Sequence, residues 1–336
     1  MKLSVLITTY NLEQYVEQTL ESVFNQHTDF DYEVLVGDDG SSDGTAEIVR
    51  KWADRYPGKL TLFVMDRDPD VKYNRIERAS KNRINLIKHA KGDYLIFLDG
   101  DDWYTDTSKL QKQVDYLDSH EGTIATAHDI QVYYSDEEQH RMLTNMNREF
   151  TVDGKFYWSS CMYLHSDTIV FRNIFKDSGS IGEEANRIID DPVFSKNYDD
   201  NIIMYLLIGH GKIHYSPEVM VCYRQLANSS WNSVSDLEKA LVNACDYDLE
   251  RQISPKYSRQ TRLRHIRDIW TIATRFKSIT PEEITKYKKI AKGCHYKTIL
   301  RLLRGDALSR AVAGVSAIPL LVIEFVLIII KRIKYY

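Results

Sequence analysis

Two apolar runs, each closing in a cluster of aspartates, constrain this chain more than any other feature. Residues 34–37 (Val-Leu-Val-Gly) lead into Asp38-Asp39-Gly40-Ser41-Ser42-Asp43-Gly44, and residues 94–98 (Tyr-Leu-Ile-Phe-Leu) lead into Asp99-Gly100-Asp101-Asp102. A short apolar run between turn residues is the pattern of a strand buried on both faces, as in parallel sheets covered by helices. Each cluster then stands at a strand end, on the edge where open α/β sheets bind their ligands. Carboxylates gathered there repel one another unless a cation joins them. A hard divalent ion carrying phosphate oxygens meets that need.

The rest of the first 105 residues fits the same plan. Residues 3–7 read as a first strand, and Leu12, Tyr15, Val16, Leu20, Val23 and Phe24 follow at helical spacing. A second helix starts at Ser42 or Asp43, with Ala46, Val49, Trp52, Ala53 and Tyr56 on its inner face. A strand over 60–65, a helix over 76–90 and the strand over 94–98 complete an alternation that calls for a doubly wound parallel sheet. Beyond it, strands are expected over 123–134, 168–171, 212–215 and 219–223, with a helix over 199–208, so a mixed sheet extends the first unit. From about residue 233 the pattern turns helical.

Charge divides the 336-residue chain. Its net charge is −4, yet from Arg251 onward there are 19 Lys/Arg against 5 Asp/Glu, a balance of +14 that leaves −18 for residues 1–250. An acidic front half argues against nucleic acid as its ligand, and a basic tail suits an anionic surface. Residues 311–330 form an apolar run about 30 Å long as a helix, with basic residues on both flanks and Glu324 inside it. The expectation is insertion or shallow embedding in a membrane rather than a clean crossing, with a helix buried in protein as the alternative. Cys161, Cys222, Cys245 and Cys294 lack C-x-x-C spacing and read as reduced thiols, and the N-terminus has no signal-peptide pattern, so the catalytic half is expected at the cytoplasmic face.

Five collinear blocks carry a resemblance. They are residues 4–11 (Ser-Val-Leu-Ile-Thr-Thr-Tyr-Asn), 33–45, 90–102, the Asp199-Asp200 pair opening an apolar helix, and 211–224, where Gly-Lys-Ile-His-Tyr leads through Pro217 to Tyr223-Arg224. In these the chain resembles the family 2 glycosyltransferases of GT-A fold, over roughly residues 2–230. The resemblance implies an α/β nucleotide-diphospho-sugar transferase fold with a mixed, mainly parallel central sheet, here followed by a C-terminal helical extension. The expected division is a transferase domain over 1–232 (nucleotide-binding half 1–105, acceptor-binding half 106–232), a basic helical extension over 233–306, and an apolar helix with basic tail over 307–336.

It further implies a nucleotide-sugar donor, most often a UDP-sugar, a Mn²⁺ or Mg²⁺ ion, and inversion at the anomeric carbon. By motif position Thr8 and Tyr10 would line the base pocket, Asp39 would contact the base, Asp99 and Asp101 would hold ribose and metal, and Arg83 would keep a basic position beside the donor. Asp200 would be the catalytic base, with Asp199 and Asp191 as alternatives. The acceptor would be a glycan or lipid-linked glycan at a membrane surface, and the C-terminal helices leave room for an oligomer. Two other classes fit parts of the pattern: a non-catalytic nucleotide- or glycan-binding subunit, and a sugar nucleotidyltransferase. His165 and His210 show no metal-ligand spacing and are expected to be structural, while Trp103 is a candidate for the acceptor side.

Overall fold

The computed structural model describes residues 1–226 apart from 69, 72, 135–138, 143–146, 161–162, 193–194 and 196–199, and beyond them only positions 235, 239, 240, 243, 253 and 322. The expected helical extension and apolar tail therefore lie outside the described residues. Among the described residues no helix is long and apolar enough to cross a membrane. Two units divide the chain: Met1–Val152 with Tyr163–Leu226 forms the first, and Asp153–Met162 belongs to the second.

In chain order the strands are β1 (Leu3–Thr9), β2 (Tyr32–Asp38), β3 (Leu60–Val64), β4 (Tyr94–Asp99), β5 (Trp103–Tyr104), β6 (Thr123–Tyr134), β7 (Gln139–Met142), β8 (Phe150–Val152), β9 (Val170–Arg172) and β10 (Lys212–Gln225). The helices are α1 (Val16–Phe24), α2 (Thr45–Arg55), α3 (Arg75–His89), α4 (Lys109–Ser119), α5 (Gly154–Ser160, in the second unit), α6 (Ser180–Asp190) and α7 (Asp200–His210). The strands form one sheet in the order β3-β2-β1-β4-β9-β6-β10-β5, with β7 beside β6 and β8 beside β10. β1 is parallel to both β2 and β4, pairing Thr9 with Asp38 on one side and Thr8 with Asp99 on the other. That register sets the two acidic clusters side by side on one edge. The chain reverses its direction of sheet growth at β1, which creates the crevice in which such sheets bind ligands.

The core follows from the apolar runs. Val5 and Ile7 of β1, Val34 and Val36 of β2, and Ile96 and Leu98 of β4 are buried together with Val16, Leu20 and Val23 of α1 and with Val49 and Trp52 of α2. One feature departs from the sequence expectation. The strands expected over 212–215 and 219–223 are one strand, β10, which passes Pro217 through register shifts against β6 between Ser216 and Val219 and between Val219 and Cys222. Such irregularities are where a strand tolerates a missing N–H. Gly100, between Asp99 and Asp101, does not take a positive φ. A Cβ there would stand 2.6 Å from Thr9 Cγ2 and 2.9 Å from Thr8 O, so glycine is required by the close approach of β1.

β9 runs antiparallel between β4 and β6, with Leu95 opposite Phe171. The one-turn 3₁₀ helix Ser166–Thr168 that precedes it is thereby delivered to the Asp99 end of β4. β10 pairs with β5 through Cys222 and Trp103, which brings Arg224 beside Asp101 and Asp102.

Candidate active site

At the end of β2 the two adjacent aspartates do different work. Asp38 closes a turn, accepting from Ser41 N at 2.8 Å and Ser41 Oγ at 2.6 Å, with Gly40 in the left-handed region at φ 71°. Asp39 turns instead to two cations. Arg67 Nη2 donates to its Oδ2 at 2.7 Å, and Arg78 Nε donates to its Oδ1. Arg78 comes from α3, whose start is fixed by Asn74 Oδ1 accepting from the N–H groups of Ile76 and Glu77. The Arg67 guanidinium lies 4.2 Å from the ring centre of Tyr10 and donates to its hydroxyl, while Tyr73 faces both arginines. Tyr10 keeps 38% of its surface exposed, so this aromatic and charged wall is open to a ligand. Arg67 and Arg78 escaped the sequence reading, because nothing in their local pattern marks them as partners of Asp39.

At the end of β4 the expected residues meet through a single guanidinium. Thr8 Oγ1 donates to Asp99 Oδ1 at 3.1 Å, and Arg83 Nη2 reaches the same oxygen at 3.3 Å. Arg83 Nη1 donates to Asp200 Oδ1 at 2.5 Å, so one side chain of α3 joins Asp99 to the first residue of α7. Helix N-termini favour a carboxylate there. Asp200 also borders a small, largely apolar cavity lined by Phe97, Ser166, Ile169, Phe171 and Ile203. Of the alternatives for the base, Asp191 caps the C-terminal end of α6, and Asp199 lies outside the described residues.

Negative charge then accumulates. Burial pushes the Asp101 carboxyl up to about 7, with the Asp99 and Asp167 charges adding to it and Arg224 opposing. Burial and the neighbouring Asp167 also raise Asp99, whose side chain keeps 32% of its surface, so solvent screens part of the effect. Asp102 is fully buried and raised further, by burial first and then by Asp167 and Asp101. Its Oδ1 accepts from Arg224 N at 2.7 Å, and the Arg224 side chain spans from Asp101 O at 3.0 Å to Gln18 Oε1 at 2.6 Å. That guanidinium is sandwiched by Tyr15 and Trp103, with ring centres 4.7 and 4.5 Å away. Trp103 thus flanks the acidic loop.

His165 was expected to be structural, and the fold places it in the acidic group. Its Nδ1 stands 3.6 Å from Asp167 Oδ1. Burial works against the His165 charge, but Asp167, Asp200 and Asp99 outweigh it and lift the imidazole to about 9. In return Asp167, which burial alone would raise, is held near 2 by the neighbouring His165. The turn bearing both residues is fastened from below: the buried Lys109 donates to Gln113 Oε1 at 2.7 Å, and Gln113 Nε2 donates to Thr168 O at 2.9 Å. Neither His165 nor Asp167 had a sequence signal; their role arises from the antiparallel arrival of β9.

Two sets of residues offer oxygen or nitrogen to a metal. Asp101 makes no ion pair among the described residues, whereas Asp99 already accepts from Thr8 and Arg83. The second set is Asp102, His165 and Asp167, whose ligand atoms all lie within 4.8 Å of one another. The Oδ2 atoms of Asp102 and Asp167 are buried with no hydrogen-bond donor among the described residues. Two orphaned carboxylate oxygens beside an imidazole fit a divalent cation in donor chemistry and burial.

The profile of Glycosyl transferase family 2 matches residues 4–179, just over half of the chain, including the ends of β1, β2 and β4. The chain belongs to that family. An uncharacterised protein of Mycobacterium tuberculosis is 29% identical over 242 residues, covering 69% of this family 2 chain and 61% of its relative. The chain thus spans about three-fifths of the length of that curated relative. The poly(ribitol-phosphate) beta-N-acetylglucosaminyltransferase TarS of Staphylococcus aureus is 28% identical over 203 residues, 58% of this chain and 32% of TarS. Among solved structures, TarS 1–349 with UDP-GlcNAc superimposes with a TM-score of 0.59 at 17% identity, covering 100% of this chain and 93% of that one. A mannosyltransferase of Pyrobaculum calidifontis with GDP-Man and Mn²⁺ gives 0.52 at 15% identity, covering 94% and 87%. These likenesses establish the GT-A-type α/β fold with its mixed sheet.

Proposed function

We propose that the protein is an inverting glycosyltransferase that moves a sugar from a nucleoside-diphosphate sugar to a hydroxyl of a cell-surface glycan or its lipid-linked precursor. The observation that carries this reading is Arg83, which holds Asp99, on the donor side, and Asp200, at the head of α7, within one ion-paired group. Inversion requires a carboxylate on the face opposite the leaving diphosphate. Asp200 takes the acceptor hydroxyl's proton as that oxygen bonds to the anomeric carbon, and the bond from that carbon to the diphosphate oxygen breaks. A divalent cation bound near Asp101 supplies neutralisation of the charge that appears on the diphosphate.

The base pocket is complementary to uracil, whose edge offers an N–H between two carbonyls. Asp39 is the acceptor for the N–H, Arg67 the donor to a carbonyl, and the open Tyr10 ring a stacking surface. The UDP-GlcNAc held by TarS supports the same choice. Thr8 and Asp99 then stand where the ribose enters, and Arg83 and Arg224 are the cations nearest the leaving diphosphate. The aromatic residues around Arg224 form an acceptor-side wall. The apolar run over 311–330 with its basic flanks supports work at a membrane surface.

A panel of UDP-, GDP- and dTDP-sugars tests this reading through thermal stabilisation of the chain and release of nucleoside diphosphate in Mn²⁺. UDP-sugars are expected to stabilise it most. Release of pyrophosphate instead would make it a nucleotidyltransferase, and donor binding without turnover on any acceptor would favour a non-catalytic subunit. A chain lacking residues 307–336 is expected to leave membranes yet retain transfer to a soluble acceptor.

A further inference from the structure

In the expected arrangement the cation enters with the donor, gripped by Asp99 and Asp101 and completed by diphosphate oxygens. The fold offers something more self-sufficient behind that loop. Asp102 follows the acidic strand end, while His165 and Asp167 come from the turn before β9, and their three ligand atoms lie within 4.8 Å of one another. Asp102 and Asp167 are fully buried, and each has one carboxylate oxygen with no donor among the described residues. Buried carboxylate oxygens without a donor, gathered beside an imidazole, call for a positive partner.

We propose that Asp102, His165 and Asp167 form a protein-built site for a first-row divalent transition-metal ion, of the Mn²⁺ type, that is occupied before any nucleotide arrives. Two carboxylates and one imidazole bind such ions well and leave coordination positions for water or a phosphate oxygen. An imidazole ligand also disfavours Mg²⁺ and Ca²⁺, which prefer oxygen alone. The surroundings are built to hold the ligands in place. Asp102 is anchored through Oδ1 by Arg224 N, and its loop by Thr19 Oγ1 donating to the carbonyls of Gly100 and Asp102 at 2.9 and 2.7 Å. The His165 ring packs between Tyr163 and Tyr223, and Gln113 fastens the turn that carries Asp167. Ligands held by their neighbours bind without a large ordering cost. Asp101 stands next to this site rather than within it.

The test uses the full chain, stripped with chelator, with no nucleotide present, so its outcome is independent of whether the protein transfers sugars. Mn²⁺ is titrated in and free ion is read from its electron paramagnetic resonance signal. One Mn²⁺ per chain is expected, retained against a tenfold excess of Mg²⁺. His165→Gln and Asp167→Asn are each expected to weaken it by at least about 100-fold, beyond the usual cost of losing an outer partner of a metal ligand. Asp101→Asn is expected to weaken it by no more than about tenfold, the share of a neighbouring charge outside the ligand set. If the His165 or Asp167 variant does not fold, spin-echo modulation on the Mn²⁺-loaded native chain decides the question, because a bound imidazole must show ¹⁴N coupling. Three results would overturn the site: no Mn²⁺ bound without nucleotide, no nitrogen coupling, or binding abolished by Asp101→Asn and spared by the other two variants. Any of these would mean that Asp102, His165 and Asp167 do not hold a metal of their own.

Discussion

At the end of β2, Asp39 faces the guanidinium groups of Arg67 and Arg78, and Asp38 spends its carboxylate on a turn with Ser41. At the end of β4, the carboxylates of Asp99, Asp101, Asp102, Asp167 and Asp200 share Arg83, Arg224 and His165, and burial with mutual repulsion raises Asp99, Asp101 and Asp102. The first end has its carboxylate answered by two guanidinium groups. The second is left wanting positive charge, the condition that favours a bound cation. Two similar Asp-rich motifs thus end in different electrostatic states, and the difference lies in what the rest of the fold brings to each.

The largest effect that would break this contrast is at Asp200. Asp200→Asn is expected to lower the turnover number by about 10²–10⁴-fold with little change in donor KM, as for loss of a positioned proton acceptor. Steady-state rates with a UDP-sugar check it; an unchanged turnover number would remove Asp200 from the chemistry. Asp101→Asn should separate the two ends differently. It should abolish metal-dependent transfer, yet raise the melting temperature of the ligand-free protein at pH 8 by about 2–4 °C, which corresponds to about 1 kcal/mol in a domain of this size. The sign follows from the raised carboxyl: ionising Asp101 costs stability across the window from its ordinary range near 4 to its folded value near 7. A variant less stable than the native chain at pH 8 would contradict it.

At the first end the expected changes are in binding. Asp39→Asn should raise donor KM by about 10–100-fold and leave the turnover number nearly intact, since it removes a charge-assisted hydrogen bond that serves the bound base. A fall in turnover number with KM unchanged would place Asp39 in the chemistry instead. The smallest effect is in the metal-free stability profile. The His165 imidazolium stabilises the fold fully below its ordinary value near 6.5, and that contribution is lost as pH rises through about 9. Asp167 acts oppositely: its contribution is present above the ordinary carboxylate value near 4 and is lost as pH falls toward 2. Denaturant midpoints in chelator should therefore decline between pH 7 and 10, and His165→Gln should flatten that decline.

How much of this was legible beforehand can be seen element by element. β1, β2 and β4, and the placement of Thr8, Asp39, Asp99 and Asp200, follow from short apolar runs and their punctuation, signals carried by a dozen residues at a time. α4 and α6 were not anticipated. They bury their inner faces through Leu110, Val114 and Leu117 and through Ala185, Ile188 and Ile189, among polar residues that dilute the period. β10 reads as two strands because Pro217 interrupts it locally, and only its pairing with β6 keeps it whole.

By itself the amino-acid order determined the parallel half of the sheet and the edge at which its carboxylates emerge, because strand burial and turn chemistry are written over a few neighbouring residues. Tertiary structure alone decided which charges answer those carboxylates. Arg67 and Arg78 reach Asp39 from 28 and 39 residues away, and Arg83 reaches Asp200 across 117. His165 and Asp167 join the group only because β9 runs back between β4 and β6. Coulomb forces act through space, so spacing along the chain carries no record of such pairs until the backbone has closed the distance.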